Sequence, residues 1–297
     1  MLNRKATLLF VALVFAICTA RAAEPTKQQA PDKDQASSYL RIERDDKETP
    51  QTLQTAIVRH VPADNAKKGP TVDLVAAVHI ADQSYYDQLN REFAGYDVVL
   101  YELVAPPGAE VPKNASSKGG NPLSFVQRAM KDMLELQFQL DAIDYNAENM
   151  VHADMSPKQF AESMQRKGES VLGIFLRMMG YAMAQQGKAD GKGSDVQLLA
   201  ALFDKNRSLA LKRAMAEQFQ DMEGAMLVIE GPDGSTLISE RNKVALEVLR
   251  KQIAEGKKKI AIFYGGGHMP DMQKRLLDDF KLVPSTTRWL DAWNMRR

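Results

Sequence analysis

Val72-Asp73-Leu74-Val75-Ala76-Ala77-Val78-His79 is a mostly apolar run ending on an imidazole, and Ile260-Ala261-Ile262-Phe263-Tyr264-Gly265-Gly266-Gly267-His268 repeats that arrangement far along the chain. Between them, Asp97-Val98-Val99-Leu100-Tyr101 delivers Glu102 in the same way. Short apolar runs bounded by turn residues read as strands buried on both faces, as in a parallel sheet. In open α/β sheets the crevice at the carboxyl edge of the strands binds ligands, so residues distant in sequence converge there. Two imidazoles and a carboxylate on that edge form a candidate divalent-metal or acid/base site.

Working outward, Thr52 to Val61 is β-like and Pro62 to Pro70 is a polar turn into the His79 strand. Ser84 to Ala94 has helical spacing, with Tyr85, Leu89 and Phe93 on one face. The result is a β-α-β unit, which places His79 and Glu102 on neighbouring strands. Pro106-Pro107-Gly108 and Ser116-Ser117-Lys118-Gly119-Gly120 make Ala105 to Asn121 a loop, well placed to act as a flap. Pro122 to Leu140 reads as an amphipathic helix, and Met150-Val151-His152 as a short strand ending beside Asp154. Ser156-Pro157 starts the next helix with a capping hydroxyl and Pro at the first helical position.

Residues 157–223 read as wholly helical apart from a linker at Gly187 to Gly193, and therefore as a helical insertion or cap. Glu240 to Ala254 is a helix closed by Gly256, Pro270 to Phe280 is another, and Thr286 to Trp293 adds a last edge strand. The fold class is α/β: an open mixed or parallel central sheet flanked by helices, with the insertion at 157–223. One domain spans 51–297.

The start reads Met1-Leu2-Asn3-Arg4-Lys5, an apolar stretch to Cys18, then Ala20-Arg21-Ala22. A basic start, a short apolar segment and an A-x-A site describe a signal peptide cut after Ala22, hence a periplasmic or secreted protein with no stable membrane span once the leader is removed. Residues 23–50 are polar and charged, a flexible segment that joins the fold near its end. Cleavage removes the only cysteine, which excludes disulfides and thiol chemistry from the mature chain. The leader carries Arg4, Lys5 and Arg21 and no acid, leaving 36 basic against 38 acidic residues. That balance gives no electrostatic case for nucleic acid.

Each candidate has a plainer alternative. A histidine after a strand is commonly a hydrogen-bonded structural residue; the second such histidine, His268, behind three glycines that permit positive φ and close approach, shifts the balance toward a site. His152 and Asp154 form a further histidine/carboxylate pair at a strand end, or a helix cap with a surface histidine. Arg241, opening a late helix, is suited to orient a carboxylate or hold a substrate oxyanion. His60, within a strand and without an acidic neighbour, reads as structural. The methionine clusters fit core packing better than a thioether copper site. G-x-S-x-G, H-E-x-x-H and G-x-x-x-x-G-K are all absent from the sequence, against common serine hydrolases, zincins and P-loop enzymes.

Ala76-Ala77-Val78-His79, Glu102, Arg241-Asn242 and Gly265-Gly266-Gly267-His268 together resemble the TraB/PrgY/GumN family, whose animal relatives are the Tiki metalloproteases, within a wider group of erythromycin esterase-like and ChaN-like proteins. The resemblance covers roughly Thr52 to Trp293 and rests on the order of short motifs. Ala76 stands where the family carries glycine, and His152 and Asp154 stand where relatives carry a glutamate. The resemblance implies a metal-dependent hydrolase, peptidase-like, acting on a peptide or protein. In this chain His79, Glu102 and His268 would bind one Mn, Co or Zn ion. Arg241 would stabilise an oxyanion, and Asp154 or His152 would serve as base or orienter. The alternative is a non-catalytic binding protein using the same crevice for a peptide, a haem-like ligand or a regulatory partner.

Overall fold

A computed structural model describes residues 39–64, 69–106, 108–109, 111, 134–186, 200–230 and 233–296. The expected signal peptide, most of the loop after Glu102, most of the helix expected over 122–140 and the glycine linker at 187–193 lie outside the described residues.

The strands are β1 (Leu40–Arg44), β2 (Pro50–Pro62), β3 (Thr71–Ala77), β4 (Ile80–Ala81), β5 (Val98–Tyr101), β6 (Gln137–Phe138), β7 (Met150–His152), β8 (Lys259–Gly265) and β9 (Leu282–Asn294). Seven of them form one mixed sheet in the order β1-β2-β3-β8-β5-β7, with β9 paired to β2. β2 pairs antiparallel with β1 through its first half, with β3 through its second, and with β9 along most of its length. β3, β8, β5 and β7 run parallel. This is an α/β fold, as the sequence implied.

The alternation of side chains along the parallel strands explains why both faces need helices. Val75, Val99, Tyr101, Ala261 and Phe263 enter one apolar cluster, and Leu74, Val98, Leu100, Ile260, Ile262 and Tyr264 enter the other. The first face is covered by helix α1 (Gln83–Phe93), which buries Tyr85, Tyr86, Leu89 and Phe93. After the four-residue helix α2 (Gln139–Ala142) come α3 (Pro157–Arg166), α4 (Val171–Gln186) and α5 (Arg207–Glu230). The second face is covered by α6 (Arg241–Ala254), through Ala245, Leu246 and Leu249, and by α7 (Met269–Phe280), through Met269, Met272 and Leu276. Met164 and Met178 pack with Ile174, Leu237 and Ile238 in a separate cluster under the cap, so these methionines, like Met269 and Met272, are core.

Two expectations change. β8 lies between β3 and β5, so His79 and Glu102 are not on neighbouring strands: the strand that closes the chain's second half inserts into the β-α-β unit of the first. Gln137–Phe138 is a strand paired with Ile80–Ala81, not part of a helix. Glu135, at φ 56°, turns the backbone left-handed, which an α-helix of L-residues does not accept. The segment at 23–50, expected to join the fold near its end, enters the sheet as Leu40–Arg44, whose register against β2 buries Leu40. The start of α3 is as expected: Ser156 accepts from the Gln159 backbone N–H, Gln159 answers to the Ser156 N–H, and Pro157 follows the cap.

Candidate active site

The carboxyl ends of β5, β7 and β8 bring together Glu102, Asp154, Arg241 and His268. Arg241 reaches this edge because a π-helical turn, Thr236–Glu240, hands directly into α6 and starts the helix beneath the strand ends. Its Nε and Nη2 donate to Asp154 Oδ1 and Oδ2 at 2.9 and 2.6 Å, a bidentate pair. Nη2 also donates to Glu102 Oε1 at 2.6 Å. Nη1 lies 3.4 Å from both the Leu237 carbonyl and His268 Nε2. These five contacts match the five N–H groups of a guanidinium.

Glu102 Oε2 accepts from the Gly265 backbone N–H at 2.7 Å. A Cβ on Gly265 would stand 3.4 Å from that same oxygen, an ordinary van der Waals contact, so this approach does not itself demand glycine. The expected positive φ is not used: Gly265 has φ −54°, and the Gly266–His268 turn is a right-handed 3-10 turn. Burial alone would raise the Glu102 carboxyl, but the guanidinium of Arg241 beside it holds it well below the ordinary carboxylate range. Burial works against the Arg241 cation, yet Glu102 and Asp154 raise its pKa above the usual value.

The tautomer of His268 follows from its neighbours. Asn242 Nδ2 donates to the His268 carbonyl at 3.1 Å and to Asp271 Oδ2 at 2.8 Å, which leaves Oδ1 as the acceptor facing His268. His268 Nδ1 therefore donates to Asn242 Oδ1, at 2.7 Å, and Nε2 carries the lone pair. That lone pair lies 3.5 Å from Glu102 Oε1. Tyr264, edge-on to the imidazole at 5.2 Å, fixes the ring from the β8 side, and its hydroxyl donates to the Ala153 carbonyl.

His79 and His152 stand elsewhere. His79 is exposed on the rim beyond β3. With β8 between them, the ends of β3 and β5 are two strand spacings apart, roughly 10 Å. His152 Nε2 donates to the Leu103 carbonyl at 2.6 Å and its ring meets Tyr101 edge-on at 5.7 Å. It fastens the chain that follows Glu102.

Among the described residues no group of three or more His, Cys, Asp or Glu side chains gathers at metal-binding spacing. The three-ligand centre expected of His79, Glu102 and His268 is thus not assembled: β8, which leads into His268, stands between the ends of β3 and β5, and His79 is exposed while His268 is buried. The remaining pair lies close enough to share an ion, 3.5 Å between Glu102 Oε1 and His268 Nε2 against bonds of about 2.0–2.2 Å to one divalent cation, but both atoms already face Arg241, so an ion there would displace the Nη1 contact to His268. Charge agrees. Two carboxylates face one guanidinium, leaving one negative charge in excess before the imidazole is counted.

Sequence reasoning missed three contributors. Asp271, three residues after His268, orients the Asn242 amide; its signal was an acid in the first turn of the helix that follows the glycines. Gln139 and Tyr145 flank the rim, where the Gln139 backbone N–H donates to the His79 carbonyl at 2.9 Å. Gln139 Nε2 donates to the Tyr145 hydroxyl at 2.7 Å, while Gln139 Oε1 is buried without a partner. No motif marked that pair. A groove of about 400 Å³ between α3 and α6, with Met155, Val244 and Val248 among its lining residues, holds none of the four clustered side chains.

Fold and site together define a class: an α/β protein with a buried, charged centre at the carboxyl edge of its parallel strands. No family model, curated protein or solved structure matches the chain.

Proposed function

We propose that this chain is an exported metal-dependent hydrolase acting on peptide-like substrates, of the TraB/PrgY/GumN kind. The observation that carries the reading is the buried Glu102–Arg241–Asp154–His268 group, with its surplus negative charge and an imidazole lone pair aimed past a carboxylate by Asn242 and Asp271. Glu102 and His268 would hold the ion. A divalent cation in such a place supplies a Lewis acid and lowers the pKa of a bound water. Asp154 clamps Arg241, and Arg241 keeps Glu102 ionised and fixed in direction. Because every N–H of Arg241 is already engaged, its part is to position Glu102 rather than to bind an oxyanion. Asn242 keeps Nδ1 of His268 protonated, so the basic nitrogen is the one that faces Glu102.

The test is metal analysis of protein purified without chelator, beside His79→Ala combined with His268→Ala, and a peptide-library assay with added Mn, Co or Zn. Metal retained by the wild type and lost from the double variant, with metal-dependent cleavage, is the expected result. Equal, negligible metal in both sinks it. The rival reading is a binding protein without turnover, and one observation favours it: both oxygens of Glu102 are occupied, by Arg241 and Gly265. Peptide retention with no cleavage under any of the three metals would select that rival.

A further inference from the structure

Six large apolar side chains stand exposed among the described residues, and four of them, Leu172, Leu176, Leu202 and Phe203, fall between the start of α4 and the start of α5. Phe203 is the extreme, 87 % exposed. Single exposed apolar residues are ordinary, but their concentration on one subdomain marks a contact surface. From Val171 to Tyr181, α4 carries one charge, Arg177. Ile174 and Met178 go under, against Met164, Leu237 and Ile238. Leu172 and Leu176, also one turn apart but two residues out of phase, take the opposite face and meet solvent. A helix apolar all round is covered on every side once its partner is in place.

The charges beside these residues say what the partner is. Arg177 follows Leu176, and Lys205 and Arg207 follow Phe203; all three are exposed, against one exposed acid, Asp204, among the described residues from Leu172 to Arg207. We propose that the helical cap docks on an anionic phospholipid surface, with Phe203, Leu172 and Leu176 entering the interface and Arg177, Lys205 and Arg207 facing the head groups. Apolar side chains sink into the boundary between head groups and acyl chains, while long basic side chains extend back to the phosphates. No described helix is long and apolar enough to cross a bilayer, so the contact is peripheral.

Cosedimentation of the full mature chain with phosphatidylcholine vesicles, and with vesicles containing phosphatidylglycerol, tests this. Expected is binding to the anionic vesicles that weakens as salt is raised. Phe203→Ser combined with Leu172→Ser should cut the bound fraction about tenfold. Lys205→Glu combined with Arg207→Glu, surface changes whose thermal melting should match wild type, should abolish the preference for anionic lipid. Absence of cosedimentation, or binding unchanged in both variants, overturns the proposal. So does a vesicle-free dimer seen by light scattering that Phe203→Ser dissolves, which would assign the surface to a second copy of the chain. None of these outcomes depends on turnover, so the hydrolase reading stands or falls separately.

Discussion

Arg241 holds two carboxylates that would otherwise be buried against each other: the Asp154 side chain is fully inaccessible and that of Glu102 only 11 % exposed. Removing the cation leaves both uncompensated, and breaking a buried pair from one side costs about 3–5 kcal/mol. Arg241→Met should therefore lower the unfolding free energy from urea titration by that much, and Arg241→Lys should recover only part, since an ammonium cannot reproduce the bidentate fork. A loss within experimental error for Arg241→Met would show that water reaches the carboxylates. The same cluster predicts a response to acid. The folded pKa of Glu102 lies below its ordinary value of 4.5, so its stabilisation is complete above that pH and is lost as pH falls through the folded value. His60 adds a separate, milder window. It is buried, its Nδ1 donates to the Val58 carbonyl and its Nε2 has no partner, and burial lowers its pKa below 6.5. A base with a depressed folded pKa costs stability once pH drops below its unfolded value. Melting curves against pH should then decline from about 6.5 downward, with a steeper fall below 4.5. His60→Leu should flatten the first segment and Glu102→Gln the second; curves that overlay wild type in both variants would refute the assignment.

At the scale of elements, the placement of Arg241 depends on the turn before α6. Gly234 has φ +70°, and a Cβ there would lie 2.3 Å from Ser239 Oγ. Glu230 Oε2 accepts from the Ser235 hydroxyl and from the Ser235 and Ser239 backbone N–H groups, so this turn is tied at several points to the end of α5. Gly234→Ala combines left-handed strain with a clash and should cost more than about 1 kcal/mol in denaturant titration. Gly256→Ala, also at positive φ but with open space around the added methyl, should cost less. Equal losses would mean that the clash relaxes freely. The elements that announced themselves in sequence share one property: their own residues set them. Apolar runs gave β3, β5 and β8, Tyr85, Leu89 and Phe93 marked α1, and Ser156-Pro157 marked the start of α3. Those that did not, such as β6 at Gln137–Phe138 and the π turn at Thr236–Glu240, depend on partners distant in the chain. The four central site residues were legible because each follows a strand or opens a helix. Their roles were not, since hydrogen-bond partners such as Asp271 for Asn242 and Gly265 for Glu102 follow from the tertiary arrangement.

For the whole molecule, what the sequence concealed was strand order, and strand order decides how the site is made. β3 and β5 belong to one early β-α-β unit, yet neither pairs with the other; both pair with β8, from the last part of the chain. β8 is buried at every position from Ile260 to Tyr264, and its side chains feed both apolar clusters, so it is the piece on which the two faces of the sheet meet. Without it, the facing edges of β3 and β5 keep unpaired backbone groups in an apolar interior, where each unmade hydrogen bond costs about 1–3 kcal/mol. Helices α6 and α7 and strand β9 flank the same insertion, so the early and late halves of the chain have no separate core. A chain ending at Gly256 should accordingly lack cooperative unfolding and dispersed amide resonances, although it retains β3, α1 and β5 in full. Addition of a peptide spanning residues 257–297 should restore native signals only in so far as β8 can enter between strands already formed. In the intact protein the amides of Ile260 to Tyr264 should exchange with solvent only through global unfolding, whereas those of β1, outermost in the sheet order, should exchange by local opening. A truncated chain that melts cooperatively would show that β3 and β5 can pair directly, and would place Glu102 beside His79 in a molecule with a different site.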